Sequence, residues 1–163
     1  MNQTKYDAST GTASLRPGAR WLDVYRTLDA LDVGVQGGAI GSVGVGGLLL
    51  GGGLSLYLYQ RGFAMDDIYS HEVVLSNGSI IETSANENSD LYQALKGGGA
   101  NNFGIVTRYD MRTFKKMPIW SAYREYNESE SVNTAHIRAL KHWTDNEDAY
   151  NNGTAFVWWT YRP

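Results

Sequence analysis

The sequence predicts an α+β fold. Three observations carry that expectation: apolar residues at helical spacing over 19–32, a hairpin signal within 68–83, and a long hydrophobic–polar alternation over 103–114. The chain has 163 residues, 42% hydrophobic and 19% charged. That is globular composition, sufficient for one domain or for one domain and part of a second.

Residues 1–19 read as a strand end and a turn, with Arg16-Pro17-Gly18 as punctuation. Over 19–32, Trp21, Leu22, Val24, Tyr25, Leu28 and Leu31 recur at helical spacing, with Asp23, Arg26 and Asp29 between them. This is an amphipathic helix pattern. Residues 45–52 read as a short helix. Residues 68–75 and 80–83 flank Asn77-Gly78, a strong signal for a tight hairpin turn. Asn88-Ser89-Asp90 can cap a helix through Leu91, Tyr92, Leu95 and Lys96, which stops at Gly97-Gly98-Gly99. A strand follows over 103–114. After Pro118 the pattern changes to a strand (119–126), a helix (132–143) and a strand (154–161), the opening of a different unit.

The stretch from Val33 to Leu56 is the most informative part of the chain. It holds 10 of the 19 glycines and no charged residue, so it is no ordinary linker. Glycine in a packed segment costs backbone entropy and implies a need for close approach or positive φ. A Rossmann fingerprint starting at Gly44 requires glycine where Leu49 stands, and a Walker A loop requires a lysine, absent between Lys5 and Lys96. From spacing alone, the segment reads equally as a ligand cradle and as a place where elements cross closely.

Composition excludes several classes. With no cysteine there is no disulfide, thiolate metal site or thiol nucleophile, and no metal site is expected. A net charge of −3 gives no reason to expect nucleic acid or an anionic membrane as partner. The N-terminus lacks the apolar core of a secretion signal, and no apolar run is long enough to span a bilayer. Sequence leaves the localisation open. Four Asn-x-Ser/Thr triplets, at Asn2, Asn77, Asn127 and Asn152, are a faint hint of an extracellular relative and no more, since chance supplies such triplets freely.

Ordered blocks of residues carry a resemblance. Gly18-Ala19-Arg20-Trp21-Leu22-Asp23-Val24-Tyr25 is followed by Gly38-x-x-Gly41-Ser42-Val43-Gly44-Val45-Gly46-Gly47-Leu48-Leu49-Leu50-Gly51-Gly52-Gly53. Then come Arg61-Gly62-Phe63-Ala64-Met65-Asp66-Asp67-Ile68, the run from Asp90 to Gly99, and Asn102-Phe103-Gly104-Ile105-Val106-Thr107. The set resembles the FAD-binding (PCMH-type) domain of the vanillyl-alcohol oxidase/p-cresol methylhydroxylase family. The nearest branch holds berberine-bridge-enzyme-like and 6-hydroxynicotine-oxidase-like FAD-linked oxidases, many of whose members are secreted.

The resemblance implies FAD held by backbone amides at Ser42, Val43, Gly44, Val45, Gly46 and Gly47. Gly51, Gly52 and Gly53 would let the chain pass close to it, and Gly104, Ile105 and Val106 would add contacts from the neighbouring strand. It implies a partial FAD-binding domain over 1–117 and the start of an antiparallel substrate domain over 118–163, truncated at both ends. The implied activity is hydride transfer from an alcohol, amine or activated C–H to flavin, with oxygen as the final acceptor. The implied partner is a small-molecule substrate.

The sequence departs from the family in two places. The R-S-G-G-H phosphate loop, with its flavin-bonding histidine, has no counterpart before residue 18, so absent segments or a second polypeptide would complete the site. Ile40 stands where bicovalent members carry cysteine, so attachment through sulfur is impossible, and with no histidine in the loop's place any FAD is expected to be non-covalent. His71, His136 and His142 read as structural or surface histidines. Tyr123, Tyr126, Trp158, Trp159 and Tyr161 read equally as a sheet over the flavin and as a buried strand face. No catalytic residue is assigned, and whether this chain is itself an enzyme stays open. The contrasting expectation is a non-catalytic scaffold that binds a ligand or partner and no longer holds FAD.

Overall fold

The computed structural model describes residues 1–146 and 153–155. In chain order the elements are β1 (Thr4–Asp7), β2 (Thr12–Leu15), α1 (Trp21–Asp29), β3 (Val33–Val35), α2 (Val45–Leu50), α3 (Leu58–Arg61), a 3-10 turn (Ala64–Asp67), β4 (Ile68–Val74), β5 (Ile80–Ser84), α4 (Ser89–Leu95), β6 (Ile105–Lys115) and α5 (Glu130–Asp145). The chain divides into two compact units, Met1–Met117 and Pro118–Pro163.

In the first unit every strand is antiparallel to its neighbours, in the order β1-β2-β6-β4-β5, and β3 pairs with the far end of β6. The long alternating strand expected over 103–114 is β6, and the sheet is built on it. Its inward residues are Val106, Tyr109 and Met111, an interval of three and then two. The odd step is a bulge: Val73 lies opposite Val106 and Glu72 opposite Arg108, which leaves Thr107 as the extra residue. Without it, either Val106 or Tyr109 would point out of the core.

Helix α1 covers the inner face with Trp21, Val24 and Leu28, against Ala13, Leu15, Val35, Ile68 and Val73. The expected helix over 19–32 is thus shorter, Trp21–Asp29, and Asp32 leaves it in the left-handed region (φ 57). The outer face is polar. Arg108 donates to Glu72 at 2.9 Å and to Glu82 at 2.6 Å and pairs with Asp110 at 3.0 Å, while Arg16 reaches Glu72 at 2.9 Å.

The Asn77-Gly78 hairpin forms, with Val74 opposite Ile80 and Gly78 at φ 83. An unexpected hairpin opens the chain: β1 and β2 pair with Thr4 opposite Leu15, where only a strand end and a turn were anticipated. Asn88 precedes α4 as expected but does not cap it by its side chain. Its Nδ2 instead donates to Glu82 O at 2.7 Å, tying α4 to β5.

In the second unit, α5 spans the expected 132–143 and extends it at both ends. The Ser129 hydroxyl accepts from Val132 N–H at 3.2 Å, an N-terminal cap. His136 packs its ring on Tyr126. The strand expected over 119–126 is absent. Ile119, Trp120, Tyr123 and Tyr126 are exposed there, and an alternating pattern makes a strand only where a neighbour supplies the ladder. Apart from Thr154 and Ala155, the strand expected over 154–161 lies outside the described residues, as do Trp158, Trp159 and Tyr161. Among the described residues no helix is long and apolar enough to cross a membrane.

Candidate functional site

Residues 42–47 run beside the start of α1. Trp21 N–H donates to Val43 O at 3.1 Å, and Val45 N–H donates to Ala19 O at 2.9 Å. These two bonds make Arg20 and Gly44 an isolated antiparallel pair, of the kind whose own amides point away from each other. Gly46 N–H donates to Pro17 O at 3.3 Å. Val43 N–H donates to Ile40 O at 3.1 Å, so the amides of Val43, Val45 and Gly46 are used within the chain. Along the segment Ser42, Gly44 and Gly47 are exposed, Val43 is half-buried, and Val45 and Gly46 are buried.

Space around each glycine separates two kinds. A Cβ on Gly37 would fall 2.1 Å from the Trp21 ring, and one on Gly38 would fall 2.8 Å from both Trp21 and Leu48. One on Gly46 would lie 3.1 Å from Pro17, and one on Gly53 would lie 2.7 Å from the Ala64 Cβ. These glycines let the chain pack against itself. Gly52 and Gly53 also turn the chain after α2 at φ 99 and 79. Gly44 and Gly47 are different: a Cβ on either meets nothing within 4 Å. Gly44 has ordinary extended angles (φ −74, ψ 144), and Gly47 lies inside a helix, where glycine is costly. Neither packing nor conformation within the chain requires glycine at these two positions.

Gly51 follows α2, and its Cβ would lie 3.2 Å from Gly47 O. Gly104 packs against β4, where a Cβ would come within 2.8 Å of Val73 and of Val74 O. Val106 is buried opposite Val73, whereas Ile105 is 61% exposed. The two groups of candidate residues are on separate elements, joined through Gly99 N–H, which donates to Leu50 O at 3.0 Å.

A buried polar clasp holds the loop after α2. Ser55 Oγ donates to Gln36 Oε1 at 2.6 Å, Gln36 Nε2 donates to Asp67 Oδ2 at 3.0 Å, and Arg61 meets the same carboxylate through Nε at 2.9 Å and Nη2 at 3.1 Å. Sequence reasoning did not assign these four residues. The available signal was Gln36, the single polar long side chain in an apolar glycine-rich run. Tyr25 donates from its hydroxyl to Gly38 O at 2.9 Å, and burial raises its phenol, which stays protonated.

His71 is fully buried between Tyr92 and Tyr109, with Nδ1 3.1 Å from Thr83 Oγ1. Burial first, and Lys96 second, lower its pKa to about 4, so it is neutral at pH 7. It sits inside the core and presents nothing to a surface ligand.

Comparison with known proteins bears on this geometry. The chain is 43% identical over 161 residues to FAD-dependent monooxygenase drtC of Aspergillus calidoustus, covering 99% of the chain and 30% of that protein. It is 44% identical over 135 residues to FAD-dependent monooxygenase FUP4 of Fusarium proliferatum, covering 83% of the chain and 26% of that protein. Among solved structures, a xylooligosaccharide oxidase from Myceliophthora thermophila superposes with a TM-score of 0.67 at 38% identity, over 71% of this chain and 24% of that one. 6-Hydroxy-D-nicotine oxidase from Arthrobacter nicotinovorans gives 0.65 at 27%, over 70% and 25%. The chain thus spans less than a third of the length of these relatives. The profile of the FAD binding domain family matches residues 1–84, just over half of the chain, which therefore belongs to that family.

Proposed function

We propose that residues 1–117 are the second part of a PCMH-type FAD-binding domain and that residues 118–163 open the substrate domain of an FAD-linked oxidoreductase. The carrying observation is the pair Gly44 and Gly47, glycines that nothing inside the chain requires and whose Cβ directions are empty. A ligand approaching the backbone closely accounts for glycine there. Ser42, Gly44, Gly47, Gly51 and Ile105 are the exposed members of the proposed site. Val43, Val45, Gly46, Gly52, Gly53, Gly104 and Val106 shape and support it.

Bound FAD would accept a hydride at its flavin ring from an alcohol, amine or activated C–H and return the electrons to oxygen. The chain's own part is to bind and orient it, with no bond through sulfur at position 40, where isoleucine stands. The xylooligosaccharide and 6-hydroxynicotine named for two structural neighbours are small molecules, and this chain's reading takes the same general class.

The test is a visible absorption spectrum of the purified chain after incubation with FAD and desalting. Retained flavin bands in the native chain, lost in Gly44→Val, are the expected result. Gly44 has extended angles and open space, so valine there meets no neighbour and costs about 1 kcal/mol as the residue that precedes α2. A colourless native chain that still melts cooperatively would refute the reading in favour of a scaffold that holds no FAD.

A further inference from the structure

We infer that Arg20 is the cationic partner of a diphosphate lying across Gly44, a role that rests on the FAD reading above. Arg20 is exposed and directly opposite Gly44 in the antiparallel pair, and side chains opposite each other lie on the same face. Its guanidinium donates through Nη1 to Ser42 O, which holds it at the edge of the open glycine surface. Among the described residues no carboxylate pairs with it, whereas Arg16, Arg61 and Arg108 are each committed to one. A guanidinium has five N–H donors, and one carbonyl occupies one of them, so a bidentate fork remains for phosphate oxygens.

The surroundings favour an anion. No Asp or Glu occurs between Asp32 and Asp66, so the glycine-rich segment contributes no repelling charge. The acidic residue nearest to Arg20 along the chain is Asp23, in the first turn of α1. Gly44 leaves room for the diphosphate itself, since a Cβ there meets nothing within 4 Å and any larger side chain would occupy the space. The site thus combines a tethered cation, an open backbone and no competing carboxylate on the segment.

The experiment measures dissociation constants for FAD, ADP and riboflavin by equilibrium dialysis with the native chain, Arg20→Gln and Arg20→Lys. ADP carries the diphosphate without flavin, and riboflavin carries the flavin without phosphate. Arg20→Gln should weaken FAD and ADP by about tenfold and leave riboflavin unchanged. Arg20→Lys should recover part of the loss, as a charge without the fork. The native affinities for FAD and ADP should fall with added salt more steeply than those of Arg20→Gln. A native chain that binds FAD with an Arg20→Gln variant that binds FAD and ADP equally well overturns this inference alone. A native chain that binds none of the three overturns the FAD reading and the inference together. If Arg20→Gln folds poorly, Arg20→Lys decides the matter: FAD and ADP bound as tightly as by the native chain would overturn the inference, because lysine lacks the fork.

Discussion

Gly47→Ala should raise the stability of the free chain and lower its affinity for FAD, two effects of opposite sign from one methyl group. Gly47 is the third residue of α2 and exposed, and its Cβ would meet nothing within 4 Å. Alanine is favoured over glycine in a helix interior by about 0.8–1 kcal/mol. This helix is only six residues long and Gly47 lies in its first turn, so about 0.7 kcal/mol is a reasonable share. Unfolding entropy near 2.1 cal/mol/K per residue, over the unit Met1–Met117, gives roughly 0.25 kcal/mol/K. The melting temperature of the free chain should therefore rise by about 3 °C. The same methyl occupies the surface where the cofactor is proposed to lie, so FAD affinity should fall by about tenfold or more. Thermal melting by circular dichroism reads the first effect, and fluorescence titration with FAD reads the second. Gly53→Ala is the contrast: at φ 79, with the Ala64 Cβ 2.7 Å away, it should lower the melting temperature. Gly47→Ala with a raised melting temperature and intact FAD affinity would refute the reasoning that an external ligand explains this glycine. A lowered melting temperature would refute the claim that the space is open.

Two further outcomes follow from the core. Gly37→Ala should destabilise the chain by about 3 kcal/mol, with a fall in melting temperature on the order of 10 °C, because its Cβ would lie 2.1 Å from the Trp21 ring. Unchanged melting would mean that Trp21 does not lie flat on this backbone. The second concerns pH. Burial, with Lys96 adding to it, lowers His71 from an ordinary value near 6.5 to about 4, so the unfolded chain takes up a proton first as pH falls. The stability this contributes is full above pH 6.5 and is lost between 6.5 and 4. Chemical denaturation across that range should show the loss in the native chain and its absence in His71→Leu. Glu72, lowered mainly by the Thr107 hydroxyl bond, acts from near its ordinary 4.5 downward and is shared by His71→Leu, so the difference between the two chains isolates His71.

Much of the architecture was legible because it is local. The helical period over 19–32, the Asn77-Gly78 turn and the alternation of β6 each reveal themselves within a dozen residues. The opening hairpin was not: β1 and β2 have four residues each and are held in place by β6, with Ala13 opposite Met111, nearly a hundred positions away. The Thr107 bulge is equally invisible, since it is defined by the register against β4. The strand anticipated over 119–126 fails for the converse reason, as alternation promises a strand only when a partner exists.

The glycines show the same limit within the proposed site. In sequence, the residues of Gly37-Gly38, Gly44, Gly46-Gly47 and Gly51-Gly52-Gly53 are equivalent, and reasoning from composition assigns them one purpose. Their neighbours divide them. Gly37, Gly38, Gly46 and Gly53 press against Trp21, Leu48, Pro17 and Ala64, so each answers a need of the fold itself. This is why a bulky residue at Gly46 is a poor probe of binding: it would strike Pro17 and lose flavin through misfolding. Gly44 and Gly47 answer no internal need, and substitutions there leave the core untouched. Arg20 was hidden for the same reason, because its position beside Gly44 comes from a pairing across 24 residues that no local pattern encodes. A binding site read from glycine content alone therefore mixes residues that hold the protein together with residues that leave it open. The question that separates them is what a missing Cβ would have touched.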